Sequence, residues 1–99
     1  MNDSNKNLTM EIQSEVFEML IKHLQNKTSV QNIDLMNLAD FCRNCLSKWY
    51  VSAAKDKGLD ISYEKAREIV YGMPYSEWKD LYQKETTKEQ LEKFNARKK

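Results

Sequence analysis

Apolar side chains recur every three or four residues along most of the chain, which is the spacing of one face of an α-helix. The first such segment begins after Thr9, a suitable N-cap residue, and ends near Gln25. Its expected core face consists of Ile12, Val16, Met19, Leu20, His23 and Leu24, widened by Phe17 and Ile21. The pattern predicts a first amphipathic helix, with the polar residues 1–7 as a disordered tail in front of it.

The longest periodic segment is centred on two cysteines. Apolar and small residues step through it by three and four positions, as they do in a packed helical seam. This seam consists of Leu35, Leu38, Cys42, Cys45, Trp49 and Ser52. The pattern predicts one continuous helix that starts near Asp34 and is closed by Gly58 in the left-handed conformation.

Shorter helices are expected in the remainder of the chain. Ser62 is placed to cap a helix that Gly72 closes, and Pro74 suits the first turn of the next one. Thr87 and Gln90 have the spacing of a capping box before a final helix. The sequence therefore predicts an all-α fold of four to five helices in a single domain over residues 8–97, followed by a basic end at 98–99.

The amino-acid composition limits both the fold class and the kinds of partner that are expected. The chain has two glycines and one proline, too few for the turns of a β-rich fold of 99 residues. Sixteen basic and 15 acidic residues give a net charge of +1, whereas nucleic-acid-binding domains usually carry a basic excess. No apolar run approaches the ~20 residues that span a bilayer, and no signal segment is recognisable. We expect a cytoplasmic protein that binds neither membrane nor nucleic acid.

Cys42 and Cys45 form a C-x-x-C pair, for which three interpretations are open. Both fall on the apolar seam, as expected of reduced cysteines in a core. Thiol redox chemistry needs a lowered pKa, commonly at a helix N-terminus, and Cys42 is expected about two turns inside its helix. A strained disulfide is also expected for two cysteines three apart within one helix. The pattern favours the core interpretation, with redox chemistry as the alternative.

A metal site is the third interpretation. His23 is the only histidine and is expected to be partly buried and hydrogen-bonded near its helix end. In an antiparallel hairpin, His23 and the cysteines differ in level by roughly 9 Å, too far for one zinc ion. A zinc ion shared by the cysteine pairs of two chains remains open, and otherwise no cofactor is expected.

Two further groups of residues are candidates for a ligand or partner surface. One is the polar face of the central helix, expected to be either a solvated face or a recognition stripe: Asn37, Arg43, Asn44 and Lys48. The other is a groove between the end of that helix and the Tyr71–Tyr75 turn, with Arg67 on its rim. Its aromatic members either cover the core or meet a partner: Trp49, Tyr50, Tyr71, Tyr75 and Trp78.

Three stretches carry a resemblance to a known family: VQNIDLMNL at 30–38, CRNCLSKWY at 42–50 and AREIVYGMPYSEWK at 66–79. The chain resembles the bacterial family catalogued as domain of unknown function 1244. The resemblance implies a short, single-domain, intracellular helical protein, and it implies no activity. Asp40 departs from it, since a small residue is expected there and an acid alters the charge beside Cys42.

These observations predict an interaction or structural module that forms homodimers or binds a protein through an apolar or aromatic helix face. The number of large apolar residues motivates this expectation, because they cannot all face one core. A thiol redox or metal-binding protein that uses Cys42 and Cys45 is one alternative, and a binder of small polar ligands is the other. No residue pattern indicates a catalytic site.

Overall fold

The computed structural model describes residues 3–97, and this part of the chain contains six α-helices and no strand. Met1, Asn2 and the basic end at 98–99 lie outside the described residues. The all-α expectation is confirmed. The helices are α1 (Asp3–Gln25), α2 (Asn32–Ala39), α3 (Arg43–Asp56), α4 (Tyr63–Tyr71), α5 (Tyr75–Tyr82) and α6 (Lys88–Ala96).

The prediction of one long central helix is wrong, because the helix is interrupted between α2 and α3. Asp40 has a φ of 59°, in the left-handed region, and its N–H donates to the carbonyl of Met36, which ends α2. The Asp40 carboxylate is 2.9 Å from the guanidinium of Arg97. Cys42 is then extended and is the N-cap residue of α3. The break raises the helix count to six and separates the predicted seam into two elements.

The helix ends that depend on local chemistry are confirmed. The Ser62 hydroxyl accepts from the N–H of Lys65 at 3.1 Å, and Thr87 and Gln90 form the expected capping box. Gly58 and Gly72 both have positive φ, at the ends of α3 and α4. At Gly72 a Cβ atom would also lie 2.8 Å from the end of the Gln25 side chain of α1, which would have to shift from its place beside Val70.

The core lies where α4 packs against α1, α3 and α5, while α2 packs against α6. The side-chain amide of Gln25 donates to the carbonyl of Val70 at 3.1 Å and so ties α1 to the end of α4. Leu38 and Trp49, two members of the predicted seam, are instead exposed. The buried cluster consists of Ile21, Leu24, Leu35, Cys42, Leu46, Val70, Tyr71 and Trp78.

Helix α1 packs against the core with a different face from the one that its apolar pattern predicts. It begins at Asp3, ahead of the expected cap at Thr9, whose hydroxyl donates to the carbonyl of Asn5. Of the expected core face only Leu24 is buried, together with Ile21, while Phe17 is half-buried. The other members of that face are exposed: Ile12, Val16, Met19, Leu20 and His23.

The shape of the molecule reflects this exposed helix. The radius of gyration is 15.9 Å, and the extents are 53 × 31 × 24 Å. A compact domain of 100 residues has a radius of gyration of about 13 Å. Within residues 3–97, no helix is both long enough and apolar enough to cross a membrane.

The left-handed conformation at Asp40 predicts an unusual order of stability between glycine and alanine. Asp40→Gly and Asp40→Ala lose the same ion pair with Arg97, but only glycine has no Cβ to oppose this φ. We expect the glycine variant to be more stable by about 1 kcal/mol. At Ser52, exposed in the middle of α3, the order should reverse. Urea unfolding of the four variants measures both differences, and the same order at the two positions would contradict the left-handed assignment.

Candidate functional site

A buried polar cluster forms where the ends of four helices meet. Arg43, the first residue of α3, is only 1% exposed, so the expectation that it lies on a polar surface is wrong. Its guanidinium donates to the carbonyls of Lys27 at 3.0 Å and Leu24 at 3.5 Å. It also donates to the side-chain carbonyl of Asn32 at 3.0 Å. Arg43 therefore connects α3 to the end of α1 and the start of α2.

The charge of Arg43 is balanced without a carboxylate among its hydrogen-bond partners in the described residues. Burial lowers the pKa of the guanidinium, yet arginine remains charged at neutral pH. The Leu24 carbonyl lies in the last turn of α1 and the Lys27 carbonyl in the turn that follows, near the negative end of the helix dipole. The ring of Trp78 lies 4.8 Å from the guanidinium carbon and adds a cation–π contact.

Tyr71 extends this cluster to α4. Its hydroxyl donates to the side-chain carbonyl of Asn44 at 2.7 Å and accepts from the side-chain amide of Asn32 at 3.0 Å. Burial raises the pKa of the Tyr71 hydroxyl above its ordinary value, so the group stays neutral and keeps both roles. Tyr71 and Trp78 are buried and in edge-to-face contact, which places both in the core.

The predicted recognition stripe is largely occupied by internal hydrogen bonds. The Asn37 amide donates to the carbonyl of Gln90 at 3.1 Å and so joins α2 to α6. Asn44 is engaged by Tyr71, and Arg43 is buried. Lys48 alone of the four is exposed. The side-chain amides on this face form hydrogen bonds between helices, although sequence periodicity alone places them on the surface.

The cysteine pair occupies the first turn of α3. Cys42 is buried in the core and is the N-cap residue, and Cys45 is half-buried one turn later. Their sulfur atoms are 3.7 Å apart and unbonded, and the Met36 sulfur is 3.9 Å from that of Cys45. Burial raises the pKa of the Cys42 thiol, while the backbone N–H groups of Cys45 and Asn44 act in the opposite direction.

His23 does not join the cysteines. It is exposed on α1, so the expectation that it is partly buried is wrong. In the described part of the chain, no three histidine, cysteine, aspartate or glutamate residues lie close enough together to hold a metal ion.

The predicted groove between the end of the central helix and the Tyr71–Tyr75 turn is divided in the structure. Trp49 and Tyr50 line an apolar groove of about 650 Å³ with Met10 and Phe17 of α1. Tyr75 instead lines a polar pocket of about 370 Å³ with Arg67. The structure therefore places these two groups of candidate residues at separate surfaces.

Arg67 has an unusual environment within its pocket. Its guanidinium carbon lies 4.4 Å from the ring centre of Tyr63 and 4.2 Å from that of Tyr75. Its Nε is buried and has no hydrogen-bond partner among the described residues. Glu64 and Glu68 also line the pocket, and Glu68 forms an ion pair with Lys65. No sequence motif marks the tyrosine pair, because its members come from different helices.

The two hydrogen bonds of the Tyr71 hydroxyl predict a measurable loss of stability on their removal. Tyr71→Phe leaves an amide donor of Asn32 and an acceptor of Asn44 unsatisfied, at a cost of about 1–3 kcal/mol. Tyr63→Phe is the matched control, since it removes a hydroxyl from a partly exposed ring on the same helix. We expect the control to stay within about 0.5 kcal/mol of the wild type in urea unfolding. Equal losses in both variants would contradict the assigned role of Tyr71.

The family assignment covers most of the buried polar cluster, including Asn32, Arg43, Asn44 and Tyr71. No curated protein matches the chain. A family model described as "Protein of unknown function (DUF1244)" matches residues 30–96, which include α2 to α6 and leave α1 outside the match. The chain belongs to this uncharacterised family, as its sequence motifs predict.

Proposed function

We propose that this protein is a cytoplasmic interaction module that self-associates through the outward face of α1. The observation that carries the proposal is a stripe of large apolar side chains on this helix, each between 38% and 61% exposed. Hereafter it is called the α1 stripe, and it consists of Leu8, Ile12, Val16, Met19 and Leu20.

The geometry of α1 supports a second apolar partner for this helix. At about 100° per residue, the α1 stripe spans roughly 120° of the helix surface. Phe17, Ile21 and Leu24, which pack inward, are centred roughly 140° away from it. The helix thus has two apolar faces, of which the described chain covers one. Apolar surface of this extent on a soluble protein commonly marks an interaction site.

The charges beside the α1 stripe favour a second copy of the same helix in antiparallel orientation. Glu11 and Glu15 precede Lys22 along the same flank of the stripe. An antiparallel pair brings Lys22 of each helix toward the acidic segment of the other, and the two helix dipoles oppose each other. A parallel pair would instead place the two helix dipoles side by side in the same direction, which is unfavourable.

The apolar groove next to α1 adds to the surface that a second copy could cover. The apolar groove beside α1, which contains Trp49 at 58% exposure, continues the apolar surface around the helix. An interface of standard size buries ~800 Å² on each partner, so we expect the contact to include both the stripe and the groove. Burial of such surface is the main driving force for association.

Adjacent positions on α1 provide a matched test of self-association. Met19 lies in the α1 stripe, whereas Glu18 lies on the polar side of the helix. Because Met19→Lys puts a charge into the proposed contact, we expect it to raise the dimer dissociation constant by at least about tenfold. Glu18→Lys should leave that constant within about threefold of the wild type. Sedimentation equilibrium over a range of concentrations measures both effects.

Two results would contradict this proposal. One is a wild-type protein that stays monomeric at all workable concentrations, including the case in which the monomer binds lipid vesicles through α1. The other is an equal effect of Met19→Lys and Glu18→Lys, which would place the contact elsewhere.

The Arg67 pocket supports a second candidate function, the binding of a small polar ligand with an anionic group. The two tyrosine rings lie against the guanidinium and restrict its movement, and its buried Nε has no hydrogen-bond partner within the described residues. A guanidinium with restricted movement favours bidentate contact with a carboxylate or phosphate. Glu64 on the pocket wall would favour a ligand that also carries a positive group.

Inorganic phosphate is a simple probe of the Arg67 pocket. At ten times its dissociation constant, a bound ligand adds about 1.4 kcal/mol to the free energy of unfolding. We expect phosphate to raise the melting temperature of the wild type relative to sodium chloride of equal ionic strength. Arg67→Gln should abolish this rise, and Arg97→Gln should preserve it, since Arg97 also stacks on one ring but is ion-paired with Asp40. The same rise in all three proteins would contradict a site at Arg67.

A further inference from the structure

We propose that Cys42 and Cys45 form a reversible intramolecular disulfide by exchange with small-molecule disulfides, with Cys45 as the point of attack and Cys42 as the resolving thiol. The observation behind it is the placement of both sulfur atoms in the first turn of α3, 3.7 Å apart. This activity is separate from self-association through α1 and does not depend on it.

The break at Asp40 removes the premise of a strained disulfide, because the two cysteines do not both lie within one helix. In a continuous helix both cysteines would have helical backbone angles, and their side chains would be held in the helical directions. Cys42 instead has φ −143° and ψ −177°, outside the helix, and only Cys45 is helical. An approach of about 1.7 Å brings the two sulfur atoms from 3.7 Å to the bonded distance of about 2.05 Å.

Differences in accessibility assign the roles of the two thiols. Cys45 is half-buried at the edge of the core cluster and is the more accessible of the two, whereas Cys42 is packed inside that cluster. Cys42 is 3.7 Å from the Cys45 sulfur and therefore well placed to attack it in a second step. The backbone N–H groups of Asn44 and Cys45 favour the Cys42 thiolate at this helix N-terminus, and burial opposes it. Cys42 is thus suited to resolution within the protein and shielded from direct attack.

The exchange balances with oxidised glutathione as the oxidant. The Cys45 thiolate attacks one sulfur of glutathione disulfide, whose S–S bond breaks, and one glutathione thiolate leaves. Cys42 then loses its proton to solvent and attacks the Cys45 sulfur of the mixed disulfide, which releases the second glutathione. The protein dithiol has lost two electrons and two protons, and one glutathione disulfide has become two glutathione thiols.

The test uses the full chain in buffers of graded glutathione redox ratio, quenched with acid and analysed by intact mass. We expect the wild type to lose the mass of two hydrogen atoms reversibly, without a lasting glutathione adduct and without a disulfide-linked dimer. Cys42→Ser should keep one stable adduct on Cys45, because resolution is lost while serine is a favourable N-cap residue. Cys45→Ser should react more than about tenfold more slowly than Cys42→Ser, because its remaining thiol is buried.

Several outcomes would overturn the proposal. They are a wild type that accumulates stable mixed disulfides, one that forms only intermolecular disulfides, or one that reacts only after unfolding in urea. Stoichiometric zinc in protein purified without chelator, released only when the thiols are blocked, would also overturn it in favour of a metal site. The wild-type result stands by itself if a variant fails to fold, and circular dichroism establishes the fold of each variant.

Discussion

The Arg43 guanidinium lies at the meeting point of four helices, and their arrangement depends on how its charge is accommodated. A buried guanidinium is costly unless its donors are satisfied. Here the carbonyl of Leu24 in the last turn of α1, the carbonyl of Lys27 just after it, the side chain of Asn32 and the face of Trp78 surround it. Both carbonyls also accept backbone N–H groups of the following turn, and they lie at the negative end of the α1 dipole, so the charge and this turn stabilise each other. This contact holds the C-terminal end of α1 against the core while the rest of that helix extends outward.

The hydrogen bonds around Arg43 also engage residues whose types suggest ligand recognition. The side-chain carbonyl of Asn32 accepts from the Arg43 guanidinium, and the Asn32 amide donates to the Tyr71 hydroxyl. The Tyr71 hydroxyl in turn donates to Asn44. These hydrogen bonds join α2, α3 and α4. Residues whose types suggest ligand recognition thus serve the fold. The features left over for interaction lie at the periphery of this cluster: the α1 stripe, the Arg67 pocket and the half-buried Cys45.

The parts of the fold that sequence predicts correctly are those set by neighbouring residues. Ser62 and the Thr87–Gln90 box cap their helices through bonds that span three residues, and Gly72 closes α4 by its own conformational freedom. The family assignment likewise follows from contiguous motifs. Contacts between distant segments are different. The Arg43 to Lys27 bond and the tyrosine pair around Arg67 join separate elements, and no periodicity within one segment indicates them.

Helix α1 and the Asp40 break show why periodicity alone misplaced the candidate sites. The α1 pattern contains two apolar faces, and burial selects the one beside α3 and α4, which leaves the stronger stripe in solvent. In the central segment, spacings of three and four continue across Asp40, although its left-handed φ ends α2 there. That one backbone angle moves Cys42 from the interior of a helix to its N-cap. The thiol chemistry proposed for the cysteine pair therefore depends on the backbone conformation of Asp40, two residues before Cys42. In a continuous helix the same two cysteines would be core residues only.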